Sequence, residues 1–329
     1  MKNNGISMRL IIMNFLQYAI WGAYLTSMGS YLAGIGMSAK IGIFYAMQGI
    51  VSIFMPAIVG IIADKYIPAQ KVLSICHGLA GLFMIAAGWY GMSAGENVAF
   101  GHLFGLYSLS VAFYMPTIAL SNSVAYSGLE RYGLDTAKAF PPIRVFGTVG
   151  FIISMLAVNF MTIDGVQFQH SYNQFFTSGI IGLALCAFAL TLPPCPVSKT
   201  NEGTSFVDVF GLRAFSLFKK KDMAIFFIFS MLLGVSLQIT NGFANPFITS
   251  FASIPEYADS WGAQNANALI SISQISETLC ILLIPIAMKF FGIKKVMLIA
   301  MTAWVFRFGL FGAGNPGSGV WMFILSCLV

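Results

Sequence analysis

The chain has 329 residues, 58% apolar and only 9% charged, with a mean hydropathy of +0.83. Charged residues make up about a quarter of a soluble domain, so this composition excludes an ordinary soluble protein and indicates an all-α integral membrane protein. The formal charge of +6 does not point to nucleic acid, because no basic patch is interleaved with aromatics on a soluble domain.

Crossing a bilayer as a helix takes about 20 apolar residues. In chain order such spans are expected at Leu10–Leu32, Ile41–Ala63, Val72–Met92, Ala99–Asn122, Pro141–Thr162, Tyr172–Leu192, Met223–Ile248, Ala266–Phe290 and Val296–Gly314. A tenth run begins near Gly317 and reaches Val329, too short to span, so the chain is expected to be truncated within its second half. Between spans six and seven lies Pro193–Asp222, which opens with Pro193, Pro194 and Pro196 and carries the largest basic cluster. Phe206, Phe210, Leu217 and Phe218 suggest a short helix on the membrane surface there, with anionic headgroups as sufficient partners for the lysines.

Lys2, Arg9, Lys65, Lys71, Arg131, Lys138, Lys199, Arg213, Lys219, Lys220, Lys221, Lys289, Lys294 and Lys295 fall on one side of this arrangement. The alternate loops hold only Lys40. The positive-inside rule then places the N-terminus in the cytoplasm of a multi-pass protein of the cytoplasmic (inner) membrane. Five cysteines and three histidines lie singly, with no metal-ligand spacing, so no metal and no other cofactor is expected.

Charges at bilayer depth are costly and face a protein interior or a wet cavity. Arg144, Glu277 and Arg307 are the three in long apolar stretches. In span five, Arg144, Thr148 and Phe151 share one helical face at i, i+4, i+7, although Arg144 could instead snorkel to the interface. Gln238 and Asn241 place two amides on one side of span seven, where helix–helix bonding is an equal alternative. In span eight, Gln274 and Glu277 share a face. Glu277 could exchange a proton, accept from a substrate hydroxyl, or pair with Arg144 or Arg307. Arg307, with no polar stripe beside it, reads as structural, and Gln17 and Gln48 read as packing. A cavity lined by these groups would suit a polar, largely uncharged solute with a flat part, whether a nucleoside or a sugar. An intramembrane enzyme would need a second catalytic group at the depth of Glu277, and none is evident.

A weak repeat relates Lys65 and Lys71 to Lys289 and Lys295, each pair 224 residues apart, and Gly60-Ile61-Ile62-Ala63-Asp64-Lys65 fits the G-x-x-x-D-[RK] loop motif of major facilitator transporters. Phe140-Pro141-Pro142-Ile143-Arg144, Gly147-Thr148, Gly150-Phe151, the run from Ala224 to Gly234, Leu237–Asn241 and Ser271–Thr278, with Phe15-Leu16-Gln17, Trp21-Gly22, Phe54–Ala57 and Ile75-Cys76-His77, closely resemble the bacterial nucleoside:proton symporters of the major facilitator superfamily. The resemblance implies two six-helix bundles: residues 1–192, a cytoplasmic connector at 193–222, and an incomplete second bundle at 223–329. It implies nucleoside import coupled to protons by alternating access, with the bilayer as its setting and no obligate protein partner. It also implies ligand contacts at Arg144, Thr148, Phe151, Gln238, Asn241, Gln274 and Glu277, with Phe151 against the ring face and Arg144 at the cavity floor. A transporter of sugars or other polar neutral metabolites is the alternative.

Overall fold

A computed structural model of the protein describes residues 2–95, 97–197 and 212–329. The helices are α1 (Lys2–Gly22), α2 (Met28–Gly34), α3 (Ile41–Lys65), α4 (Ala69–Ala94), α5 (Phe100–Arg131), α6 (Thr136–Phe160), α7 (Asn173–Ala189), α8 (Lys221–Ser250), α9 (Trp261–Gln264), α10 (Ala266–Ala313) and α11 (Val320–Leu328). A small hairpin, β1 (Thr162–Ile163) with β2 (Val166–Gln167), joins α6 to α7. Its turn is Asp164-Gly165, both at positive φ (52° and 78°), the backbone that a two-residue hairpin loop requires.

Each expected span coincides with a helix, with two differences of continuity. The run expected at Leu10–Leu32 is broken: α1 stops at Gly22, hydrogen-bonded turns cover residues 23–27, and α2 resumes at Met28. The two runs expected at Ala266–Phe290 and Val296–Gly314 are joined without a loop, because α10 bends at one residue, Gly292 (φ 70°, ψ 165°). The arms of α10 then lie side by side, and Arg307 Nη2 on the second donates to Ser273 Oγ on the first at 2.8 Å. Gly292 stands 224 residues after Pro68, the extended residue between α3 and α4, so the helices break at corresponding points of the repeat. In the connector, a 3-10 helix covers Leu212–Lys219, and the Phe218 ring stacks on Phe227 at 4.8 Å. Phe206 and Phe210 lie outside the described residues.

Among the described residues six helices are long and apolar enough to cross a membrane: Ser38–Lys65, Ala69–Ala94, Phe100–Arg131, Thr136–Phe160, Lys221–Ser253 and Ile286–Ala313. The first arm of α10 carries Asn267, Ser271, Ser273, Gln274, Ser276 and Glu277.

Helices α1 to α7 pack into one body, with α1 against α6, α4 against α5 and α7, and α3 against α5. The α1–α6 crossing is a backbone contact. A Cβ on Gly22 would lie 2.8 Å from Phe151 Cα, and one on Gly150 would lie 2.9 Å from Phe15 C. Glycine on both helices permits that approach. Inside this body, Gln17 Nε2 donates to Thr117 Oγ1, His77 Nε2 to Gln17 Oε1, and Gln48 Nε2 to the Tyr107 hydroxyl, each at 2.8 Å. Gln17 and Gln48 therefore join helices, as expected. The start of the connector is strapped to the same body: Arg131 donates to the Pro194 carbonyl at 2.8 Å, and the Cys195 N–H donates to Gln70 Oε1 at 2.9 Å.

The two parts of the chain meet along a polar seam at the end opposite the lysine- and arginine-rich loops. Its centre is Asn245 on α8, fully buried, which donates to Asn267 Oδ1 at 2.7 Å and to Gln169 Oε1 at 3.2 Å. Asn245 Oδ1 accepts from the hydroxyls of Ser30 and Thr249. Gln169 passes the network to Gln167 Oε1 (2.6 Å) and to the Gln264 carbonyl (3.1 Å), while Gln174 binds Ser27 Oγ (2.9 Å) and the Gln169 carbonyl (3.3 Å). Nearby, Asn159 on α6 donates to Asn265 Oδ1 at 2.8 Å and accepts from the Ala268 N–H at 3.3 Å. At the same seam the backbones close tightly, since a Cβ on Gly29 would stand 2.8 Å from Pro246 Cγ.

Candidate functional site

About one helical turn, or ~6 Å, separates Asn245 from Asn241 on α8. At that level the seam gives way to a cavity of about 120 Å³ between α1, α6, α8 and α10. Its walls carry Arg144, Thr148 and Phe151 from α6, Asn241 from α8, and Gln274 and Glu277 from α10. Tyr18, Trp21 and Leu25 from α1, with Leu237, complete the lining. Six of the seven residues read from the sequence thus meet at one void, although they come from three separate helices.

The local reasons are simple. Asp135 caps α6, its side chain accepting from the Ala137 N–H at 3.0 Å. The helix then runs unbroken past Arg144, so the i, i+4, i+7 stripe survives as one face. Phe151 is buried, with its ring edge-on to Trp21 at 6.5 Å and 85°. The Arg144 guanidinium lies over the face of Tyr18, 3.9 Å from the ring centroid. Arg144 thus turns into the cavity.

Among the described residues, the side chains of Thr148, Asn241, Gln274 and Glu277 make no hydrogen bond or ion pair with another residue. Glu277 joins neither guanidinium: Arg307 is held instead by Ser273, and its ring contact is Trp304 at 5.1 Å. Arg307 lies outside this cavity and lines a separate, largely apolar hollow of about 250 Å³ with Thr240, Phe243 and Phe311. Gln238 is placed differently from the other six. Its amide donates to the Tyr45 carbonyl at 3.4 Å, and it is its neighbour Leu237 that faces the cavity.

The site therefore offers two amides, each able to donate and accept, one hydroxyl, one carboxylate, one guanidinium and aromatic rings from α1 and α6. Nothing in it resembles a nucleophile with its base. Sequence reasoning missed the α1 wall. The spacing of Tyr18, Trp21 and Leu25 at i, i+3, i+7 is a legible stripe, but an aromatic stripe is ordinary in a packed helix.

Paired bundles of long apolar helices, with an unsatisfied polar cavity where they meet, define a membrane transporter of the major facilitator fold. A solved structure of tetrameric PepTSo2 supports that fold alone, with a TM-score of 0.58 at 13% identity over 99% of this chain and 80% of that one. The family model for nucleoside H+ symporters matches residues 4–329, and the chain belongs to that family. It is 45% identical to the xanthosine permease of Escherichia coli strain K12, over 98% of this chain and 75% of that protein. It is 43% identical to the nucleoside permease NupG of the same organism, with the same coverage. The crystal structure of a mutant form of nucleoside transporter NupG superposes with a TM-score of 0.89 at 41% identity, covering 98% of this chain and 78% of that one.

Proposed function

We propose that this protein imports nucleosides together with protons by alternating access, and that the cavity between α1, α6, α8 and α10 is where the nucleoside is held. The observation that carries this reading is the convergence of Arg144, Thr148, Phe151, Asn241, Gln274 and Glu277 on one void with their hydrogen-bonding capacity largely unspent. A ribose offers hydroxyls that both donate and accept, and a base offers ring nitrogens and carbonyls, so amides and a carboxylate can serve either. Phe151 supplies a ring face or edge to the base. Gln238, one turn from Asn241, reaches the solute by leaving the Tyr45 carbonyl. Residues 1–192 and 223–329 act as the two bundles that rock about this point, with 193–222 as the cytoplasmic connector. The N-terminus and the basic loops lie in the cytoplasm, which makes the polar seam the outer closure and the present form one that is closed to the outside. Inward proton movement supplies about 2.3 kcal/mol per 100 mV of membrane potential, enough to concentrate an uncharged solute. No covalent step and no cofactor beyond the coupling proton is involved.

Uptake of labelled uridine or adenosine by cells expressing the chain tests the reading. Saturable uptake that unlabelled nucleosides displace and sugars do not is the expected result, and it collapses when a protonophore removes the gradient. Displacement by sugars would instead assign a transporter of other polar metabolites. Glu277→Gln and Gln238→Ala are each expected to cut uptake sharply while leaving membrane insertion intact. Normal uptake in both would remove the site assignment.

A further inference from the structure

We infer that Tyr18 is the positioning residue for Arg144: its ring face holds the guanidinium at the cavity wall, in the place a carboxylate would otherwise take. The inference rests on the reading of this cavity as the solute site. A guanidinium at membrane depth needs a partner. Among the described residues Arg144 has no carboxylate within ion-pair distance, and its close contact is the Tyr18 ring at 3.9 Å from the centroid. Arginine stacks on aromatic faces, and the ring quadrupole attracts the cation within about 6 Å. The ring face offers this attraction, and the Tyr18 hydroxyl engages the same guanidinium, while the N–H donors left over remain for a solute. A carboxylate would bind them in a bidentate pair.

The surroundings of the pair are built to keep it. Tyr18 is buried to 7% exposure although it borders the cavity. The ring lies against Gly147, where an added Cβ would come within 2.6 Å of Tyr18 Cδ2 and 3.0 Å of Arg144 Nη1. Gly147 is thus the opening in α6 through which the α1 ring reaches under the guanidinium. The backbone crossing at Gly22 and Gly150 sets the register of α1 on α6, and so sets which ring arrives there. Because Tyr18 acts through another residue, replacing it should weaken solute binding and leave the turnover step largely alone.

Three variants of the full chain test this: Tyr18→Phe keeps the ring, Tyr18→Leu keeps apolar bulk without a π face, and Gly147→Ala disturbs the same contact from α6. The first readout is the reactivity of Arg144 toward phenylglyoxal in the purified protein without solute, followed by mass spectrometry of the peptide containing it. The expected result is a rise of severalfold in Tyr18→Leu and Gly147→Ala and a clearly smaller one in Tyr18→Phe, which loses only the hydroxyl. The second is uridine uptake, where Tyr18→Leu raises KM about tenfold with Vmax within twofold, and Tyr18→Phe, which keeps the ring and loses the hydroxyl, raises it about threefold or less. In an Arg144→Gln background, Tyr18→Leu should have no further effect on uridine binding measured by calorimetry. Equal loss in both backgrounds, or equal damage from Phe and Leu, overturns the inference. Should uridine fail to bind at all while Arg144 reactivity follows the ring, the solute assignment falls and the positioning role stands. Gly147→Ala keeps the test open if Tyr18→Leu does not fold.

Discussion

The seam and the cavity are built from the same kinds of side chain on the same helices, yet they do opposite things. Asn245 and Asn241 are one turn apart on α8, and Asn267 and Gln274 are two turns apart on α10. In the seam each amide side chain finds at least one complementary group at 2.6–3.3 Å, although Asn267 Nδ2 is left without one, and Asn159, Gln169, Gln174, Asn245 and Asn267 are all at 0% exposure. In the cavity Asn241 and Gln274 line the same void with no protein partner among the described residues. An amide in a membrane interior must be satisfied by something. Where the helices touch, protein supplies the partner and the amide becomes adhesive. Where they diverge, water or a solute must supply it, and the amide becomes a binding group. The difference is therefore one of helix separation, not of residue chemistry.

The largest effect that sharpens this comparison comes from Asn245→Leu. It strips Asn267, Gln169 and Ser30 of a shared partner, and each buried group left unsatisfied costs about 1–3 kcal/mol. The thermal midpoint of the purified protein should fall by several degrees, whereas Asn241→Leu, one turn away, should leave the midpoint unchanged and abolish uptake. Equal destabilisation by the two would erase the distinction. Next in size is the response to solute. Uridine at a hundred times its Kd should stabilise the parent by about 2.7 kcal/mol, and Asn241→Leu or Glu277→Gln should lose that shift. A seam variant that still folds, such as Asn159→Ala, should retain it.

A smaller effect separates paired from unpaired amides directly. A double-mutant cycle on Asn159 and Asn265 should give a coupling of about 1 kcal/mol, within the range for residues in contact. The same cycle on Asn241 and Gln274 should give none without solute and a measurable coupling with it. The smallest expected change is Ser27→Ala, which removes one hydrogen bond to Gln174 at the edge of the seam. It should cost about 1 kcal/mol in thermal unfolding and leave the uptake KM unaltered.

Much of the architecture was legible because bilayer thickness imposes a length on apolar runs and charged side chains segregate into the breaks. Helix periodicity alone put Arg144, Thr148 and Phe151 on one face, and Gln274 with Glu277 on another. The same period leaves Gln238 and Asn241 open between a ligand and a neighbouring helix. They share a side of α8, yet the Tyr45 carbonyl draws the Gln238 amide to α3 while Asn241 turns to the cavity. The bend at Gly292 was hidden because a single glycine at positive φ can reverse a chain without any polar loop to mark it. The hairpin at Asp164-Gly165 carried a usable turn signal, but its strands are only two residues long.

The sequence by itself determined that this is a helical membrane protein, where its spans run, and which few side chains are too polar to face lipid, because those follow from local composition and a 3.6-residue period. Only the tertiary structure decided which amides are spent on one another and which remain open. It also decided that an aromatic ring from α1 lies beneath Arg144. Both depend on how closely two helices approach, and that distance is set by glycines and crossings distributed across the whole chain.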